Sequence, residues 1–198
     1  MKARLFCLLL LVLALSACSG MRIVDSDVRA YTAAQGITVP ASYRFERLPS
    51  QLAQPEQRDD LETVVQTELD KVGMRLDETA PLYSVRLDLR VHKDPRSPWD
   101  DPRYSAGFFQ GFPVMTRHGV LYQYPAPFLV MEMPWYRREI SLLIRRLADG
   151  LLVYETRAAS DGYWADDAAV VPAMVEAALR DFPNPPPGPR RISIEIPR

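Results

Sequence analysis

Cysteine is nearly missing from this chain. Of 198 residues only Cys7 and Cys18 carry a thiol, so neither a disulfide framework nor a zinc–thiolate centre is expected. Histidine is as scarce: His92 and His118 stand alone, without a neighbour at ligand spacing, and no metal is predicted. Asp94, Asp100 and Asp101 lack the oxygen spacing of a calcium loop. Lysine is confined to Lys2, Lys71 and Lys93, and the formal net charge is −1. That balance argues against nucleic acid as a partner. Glycine is sparse as well. Gly107 and Gly111 are not followed by the Lys and Ser/Thr of a phosphate loop, and there is no Gly-x-Ser-x-Gly elbow. No pair among the 25 acids marks itself for glycoside cleavage. No cofactor is expected. Hydrophobic runs are short: Leu5 to Ala14 is the longest, below the ~20 residues of a membrane span.

What is present begins with that run. Lys2 and Arg4 precede it, and the small residues Ser16 and Ala17 follow it, the three-part layout of a secretory signal. Leu15-Ser16-Ala17-Cys18 resembles the bacterial lipobox. The resemblance implies cleavage before Cys18, a diacylglycerol thioether on its sulfur and acylation of the new amino terminus. One acyl chain holds a protein only marginally, whereas two or more hold it durably. Ser19 follows the cysteine where Asp marks retention at the inner membrane in well-studied bacteria, so sorting to the outer membrane is implied. Residues 1–17 then form the signal, 18–21 the lipidated amino terminus and 22–198 a single domain. Loss of Lys2 and Arg4 takes the formal net charge from −1 to −3.

Periodicity outlines the domain. Ile23, Val24, Val28 and Tyr31 suggest a strand over Arg22 to Tyr31, and Tyr43 to Leu48 alternates ahead of Pro49. Arg58 to Val72 carries Leu61, Val64, Val65, Leu69 and Val72 at helical spacing. Asp59, Asp60 and Glu62 crowd its first turn, and Gly73 is placed to end it. Leu82 to His92 alternates Val85, Leu87, Leu89 and Val91 with Arg86, Asp88, Arg90 and His92, a half-buried strand whose polar face holds the histidine. Arg138 to Leu147 and Leu151 to Ala158 flank Ala148-Asp149-Gly150, a hairpin signal. Ala165 to Phe182 reads as a second helix, with Pro172 placing its true start near that proline. After the stiff Pro185-Pro186-Pro187-Gly188-Pro189, Ile192, Ile194 and Ile196 alternate as a last strand. The class is α+β: an antiparallel or mixed sheet of about five to seven strands, with two helices packed on one face. The arginine pairs 137/138, 145/146 and 190/191 should each split across a strand.

The anomaly is 94–134, which holds seven prolines and much of the chain's aromatic content. Short edge strands are expected within it at Val120 to Tyr124 and Phe128 to Met133. Loops of this length are usually functional or mobile, and aromatic anchors dominate interfaces; the alternative is that these aromatics fold inward as a satellite core under the loop or pack against the sheet. Trp99, Tyr104, Phe108, Phe109, Phe112, Tyr122, Tyr124 and Trp135 are the candidate binding residues.

Several stretches together resemble one family. They are Tyr43-Arg44-Phe45, Leu69-Asp70-Lys71-Val72-Gly73-Met74, Val85-Arg86-Leu87-Asp88-Leu89, the hairpin Leu142 to Tyr154, and Leu179-Arg180-Asp181-Phe182-Pro183. They look like the small bacterial lipoproteins grouped as domain of unknown function 4136, over roughly residues 22–196. Tyr154 stands where members often carry Trp, and the aromatic loop is longer than the family's. The resemblance implies an envelope lipoprotein and brings no reaction with it. The expectation is a non-catalytic protein with a binding or scaffold role, lipid-anchored in the outer membrane, facing the periplasm and meeting an envelope protein or polymer. The alternative is an envelope hydrolase with a site near 94–134, using a serine or acid beside His92 or His118.

Overall fold

The computed structural model describes residues 20–53, 55–95, 97, 113–115, 121–123 and 134–197. Its first strand, β1 (Met21–Thr32), alternates along most of its length. Arg22, Val24, Ser26, Val28 and Ala30 are buried, and the residues between them face out, as the pleat requires. Val24 and Val28 point inward as the hydrophobic pattern suggests. Ile23 and Tyr31 do not: they are 58% and 60% exposed, because they share a face with Asp25, Asp27 and Arg29.

Strand β2 (Ala41–Phe45) leads into helix α1 (Pro55–Lys71). The helix ends at Gly73, whose φ of 89° is the left-handed conformation glycine adopts without strain. Immediately after it comes β3 (Met74–Leu76), which periodicity did not suggest; three residues are too few to show a pattern. β4 (Tyr83–Asp94), β5 (Pro113–Met115), β6 (Leu121–Gln123), β7 (Trp135–Arg146) and β8 (Leu152–Gly162) follow. Helix α2 (Asp167–Leu179) and β9 (Arg190–Pro197) complete the order. β6 falls within the strand expected at Val120 to Tyr124, whereas the one expected at Phe128 to Met133 lies outside the described residues. Gly150, φ 71°, turns the chain between β7 and β8, where Arg146 and Leu151 close the hairpin by a 2.9 Å backbone bond.

Seven strands form one mixed sheet in the order β3-β2-β4-β7-β8-β1-β9, and β5 pairs with β6 apart from it. β2 runs parallel to both β3 and β4; the remaining neighbours are antiparallel. The two helices lie against each other on one face, with α2 over β1, β8 and β9. The α+β expectation of a mixed sheet with two helices on one side therefore describes the fold. Tyr43, Leu69, Met74, Leu87, Ile140, Leu142, Ile144, Tyr154 and Met174 are fully buried within one core. The opposite face carries Arg90, Glu139, Asp27 and Arg191 in cross-strand register around Ala159.

β2 ends at Phe45, opposite Val85, so the outward carbonyl of Leu87 has no strand to meet. Arg58 Nη1 and Gln51 Nε2 donate to it instead, at 2.9 and 3.1 Å. Glu62 then holds Arg58 at 3.0 Å and Arg47 at 2.6 Å. A buried carbonyl left without a donor would be costly, and this network explains why α1 buries charged residues.

Candidate functional site

Antiparallel pairing collects one set of chain ends. Asp94 lies opposite Trp135, and Tyr136 opposite Gly162. β1 runs back beside β8 from Asp27 opposite Ala159, which brings Met21 to the same end. The last residues of β4, the first of β7, the last of β8, the start of α2 and the start of β1 therefore form one corner. The 94–134 segment departs from it and returns to it.

On the open face of this corner Trp135 donates its Nε1–H to Asp161 Oδ2 at 3.1 Å and packs edge-on against Tyr163, centroids 4.5 Å apart. Tyr163 shares a 2.9 Å hydrogen bond with Ser97. Asp94 lies 2.9 Å from Arg137 Nη2 and 3.0 Å from His92 Nε2. His92 is exposed on the polar face, as its strand position predicts. A depression of about 580 Å³ runs from His92 and Arg137 past Glu139 to Asp27. It forms where the small Ala159 interrupts a row of longer charged side chains.

On the helix face two buried arginines grip the start of α2. Arg22, reached from β1, lies 2.8 Å from Asp166, and its guanidinium sits 4.9 Å from the Trp164 ring. Arg138, its side chain 2% exposed, lies 2.5 Å from Asp167 and donates to the Trp164 carbonyl at 2.6 Å. Asp166 accepts from the Ala169 N–H at 3.2 Å as the amino-terminal cap. The Arg22 guanidinium holds its carboxyl below the usual carboxylate range, helped by the Ala169 N–H and Arg138. This anchoring corrects the expected helix start: α2 begins at Asp167, and Pro172 lies in its second turn rather than at its beginning. The proline costs the helix one hydrogen bond, and the two ion pairs fix the earlier start regardless. Arg137 and Arg138 split as expected, one exposed and one buried. A groove of about 790 Å³ opens between the helices, over Leu89 and Val91 and beside Pro172.

Arg138→Met keeps the stem and removes the charge. It is expected to lower stability by about 2 kcal/mol, the loss of an ion pair whose acid can rehydrate plus one charged hydrogen bond. Urea unfolding measures it, and Arg137→Met, on the exposed side, should shift the same curve by less than about 0.5 kcal/mol.

Of the candidate binding residues, Trp135 is the one whose side chain is described. It is the first residue of β7 and 8% exposed, committed to Asp161 and Tyr163. Tyr122 lies in β6, with its side chain outside the description. Cys18, Trp99, Tyr104, Phe108, Phe109, Phe112, His118 and Tyr124 lie outside the described residues. Sequence reasoning gave no role at this corner to Arg22, Arg138, Tyr163, Trp164 or Asp166. The doublet Asp166-Asp167 ahead of an apolar helix was the available signal for the capped start. Among the described residues, no group of three or more His, Cys, Asp and Glu side chains could hold a metal. No described helix is long and apolar enough to cross a membrane.

Known structures are similar to this chain at low identity, and the first of them shares its fold. A PDZ domain protein from Parabacteroides distasonis is 16% identical with a TM-score of 0.54, over 93% of this chain and 41% of that one. This chain thus spans less than half of that protein. A PelC dodecamer from Paraburkholderia phytofirmans gives 7% identity and a TM-score of 0.45, over 81% and 99% of the two chains. A minor lipoprotein from Acinetobacter baumannii gives 12% and 0.36, over 72% and 88%. No curated protein matches the chain. The family model described as Domain of unknown function (DUF4136) matches residues 27–184, most of the chain and all of the sheet but β9 and the first half of β1, and the chain belongs to that family.

Proposed function

We propose that this protein is a lipoprotein of the bacterial envelope: acylated on Cys18, held in the outer membrane, facing the periplasm, and acting by binding rather than by catalysis. The observation that carries the reading is the spacing of Leu15-Ser16-Ala17-Cys18 from the fold. The lipobox cysteine precedes β1 by three residues, Met21 being the first of the strand. A leader cut before Cys18 would leave the whole described fold intact. Two or more acyl chains would hold the domain at the bilayer, and Ser19 favours the outer membrane. The binding role draws on the aromatic segment rooted at Asp94 and Trp135, and on the depression and groove that flank this root. The acids there serve as structural partners: Asp161 to Trp135, Asp94 to Arg137, Asp166 to Arg22 and Asp167 to Arg138.

Mass spectrometry of the protein purified from a bacterial host tests the anchor. The expected product starts at Cys18 and carries diacylglycerol and an N-acyl chain. A product that keeps residues 1–17, or carries an unmodified Cys18 thiol, would refute it.

A further inference from the structure

The corner that gathers the strand ends also gathers exposed apolar side chains. Met21 is 52% exposed, Ile23 58%, Tyr163 44% and Trp164 41%. Ile23, Tyr163 and Trp164 line a single cleft of about 130 Å³, so residues from the start of β1 and from the β8–α2 turn form one patch. The corner's two buried cations, Arg22 and Arg138, are engaged by Asp166 and Asp167.

The length of chain ahead of Met21 identifies what meets this patch. Only Ser19 and Gly20 separate Met21 from Cys18, and three Cα steps span at most about 11 Å. If Cys18 is embedded by its acyl chains, Met21 is held within that distance of the headgroup layer and Ile23, two residues further on, within about 18 Å of it. Tyr and Trp, each with an apolar ring and a polar edge, are the side chains that favour that layer.

We infer that this protein rests on the bilayer through Met21, Ile23, Tyr163 and Trp164, so that the membrane is a docking partner of the folded domain as well as the site of its lipid. The inference rests on the anchor proposed above. The surface it fits is electrically neutral phospholipid. Beside Ile23 stand Glu195 across the strand pair and Asp25, the latter bonded to Ser193 at 2.6 Å, and such acids disfavour an anionic headgroup. The root of the 94–134 segment, at the same corner, then lies close to the bilayer. The turn at Asp149-Gly150, at the far end of β7 and β8, points away from it.

Fluorescence quenching in vesicles tests the contact. The full chain, matured in a bacterial host, is placed in phosphatidylcholine vesicles containing a nitroxide-labelled lipid. With Cys18 alkylated, a bimane label goes to one added thiol: Ile23→Cys, Tyr163→Cys, Trp164→Cys, or Leu151→Cys at the distal turn. Quenching at 23, 163 and 164 at least threefold that at 151, and unchanged by added salt, is the expected result. Equal quenching at all four positions on a chain whose mass shows acylated Cys18 would overturn the contact and leave the anchor standing. Low quenching at 23, 163 and 164 because residues 98–133 or a second copy cover them would overturn it too. A mass showing no acyl group would remove the anchor itself, so the two failures are told apart. If Trp164→Cys fails to fold, as read by circular dichroism, the Ile23 and Tyr163 labels decide the question.

Discussion

Leu142→Ala is expected to lower the unfolding free energy by about 3–4 kcal/mol, and with it Tm by roughly 6–16 °C. Leu142 is fully buried at the middle of β7, with Leu87 of β4 on one side and Thr156 of β8 on the other. Truncation removes apolar contacts and leaves a void. How far a void collapses sets its cost, and here collapse is obstructed. The β7 backbone is bonded to strands on both sides, and Thr156 is tied to the α2 carbonyl of Ala178 at 2.9 Å. The neighbour Leu143 supplies the control. It lies on the other face, only half-buried, so Leu143→Ala should cost less than about 1.5 kcal/mol. Urea unfolding of both variants makes the comparison, and equal losses would contradict the assignment of faces in the central strand.

Alkaline solution should destabilise the fold well before its arginines titrate. Tyr43 and Tyr154 are 0% and 1% exposed. Burial pushes the Tyr154 phenol from 10.0 up to about 12, against the opposing pull of Arg190 and Thr156. It raises Tyr43 further, with Asp70 and Glu62 adding to the effect. A phenol ionises as pH rises, and the unfolded chain ionises first. Stability is therefore complete below about pH 10 and declines above it, as the unfolded state releases protons that the folded state keeps. At pH 12 Tyr154 alone accounts for on the order of 2 kcal/mol, and Tyr43 acts in the same direction. Urea unfolding between pH 9 and 12 should show the decline, and the double variant Tyr43→Phe, Tyr154→Phe should flatten it. A spectroscopic titration in which all nine tyrosines ionised together near pH 10 would contradict the burial of both rings.

Much of the fold was legible because neighbouring residues encode it. Val85, Leu87, Leu89 and Val91 at period two define β4, and the Leu61 to Val72 stripe defines α1. Asp149-Gly150 sets the hairpin, and the isoleucines at 192, 194 and 196 mark β9. The motifs that resemble the family are of this local kind, and its model matches 27–184, inside the wider span the resemblance suggested. The candidate site was less legible. Trp135 was grouped with the aromatic loop, yet the strand takes it in. The arginines that anchor α2 looked like any other polar residue in an alternating strand, because their partners lie 144 and 29 residues away along the chain.

The amino-acid order by itself determined the class of fold and the turns, since each depends on spacing within a few residues. Tertiary structure alone decided that β1 lies between β8 and β9, that β2 runs parallel to its neighbours, that α2 starts ahead of its proline, and that Met21 shares a corner with Trp164. Those outcomes depend on which strand finds which partner and on whether a buried charge meets its counterion, and both are contacts between residues far apart in the chain.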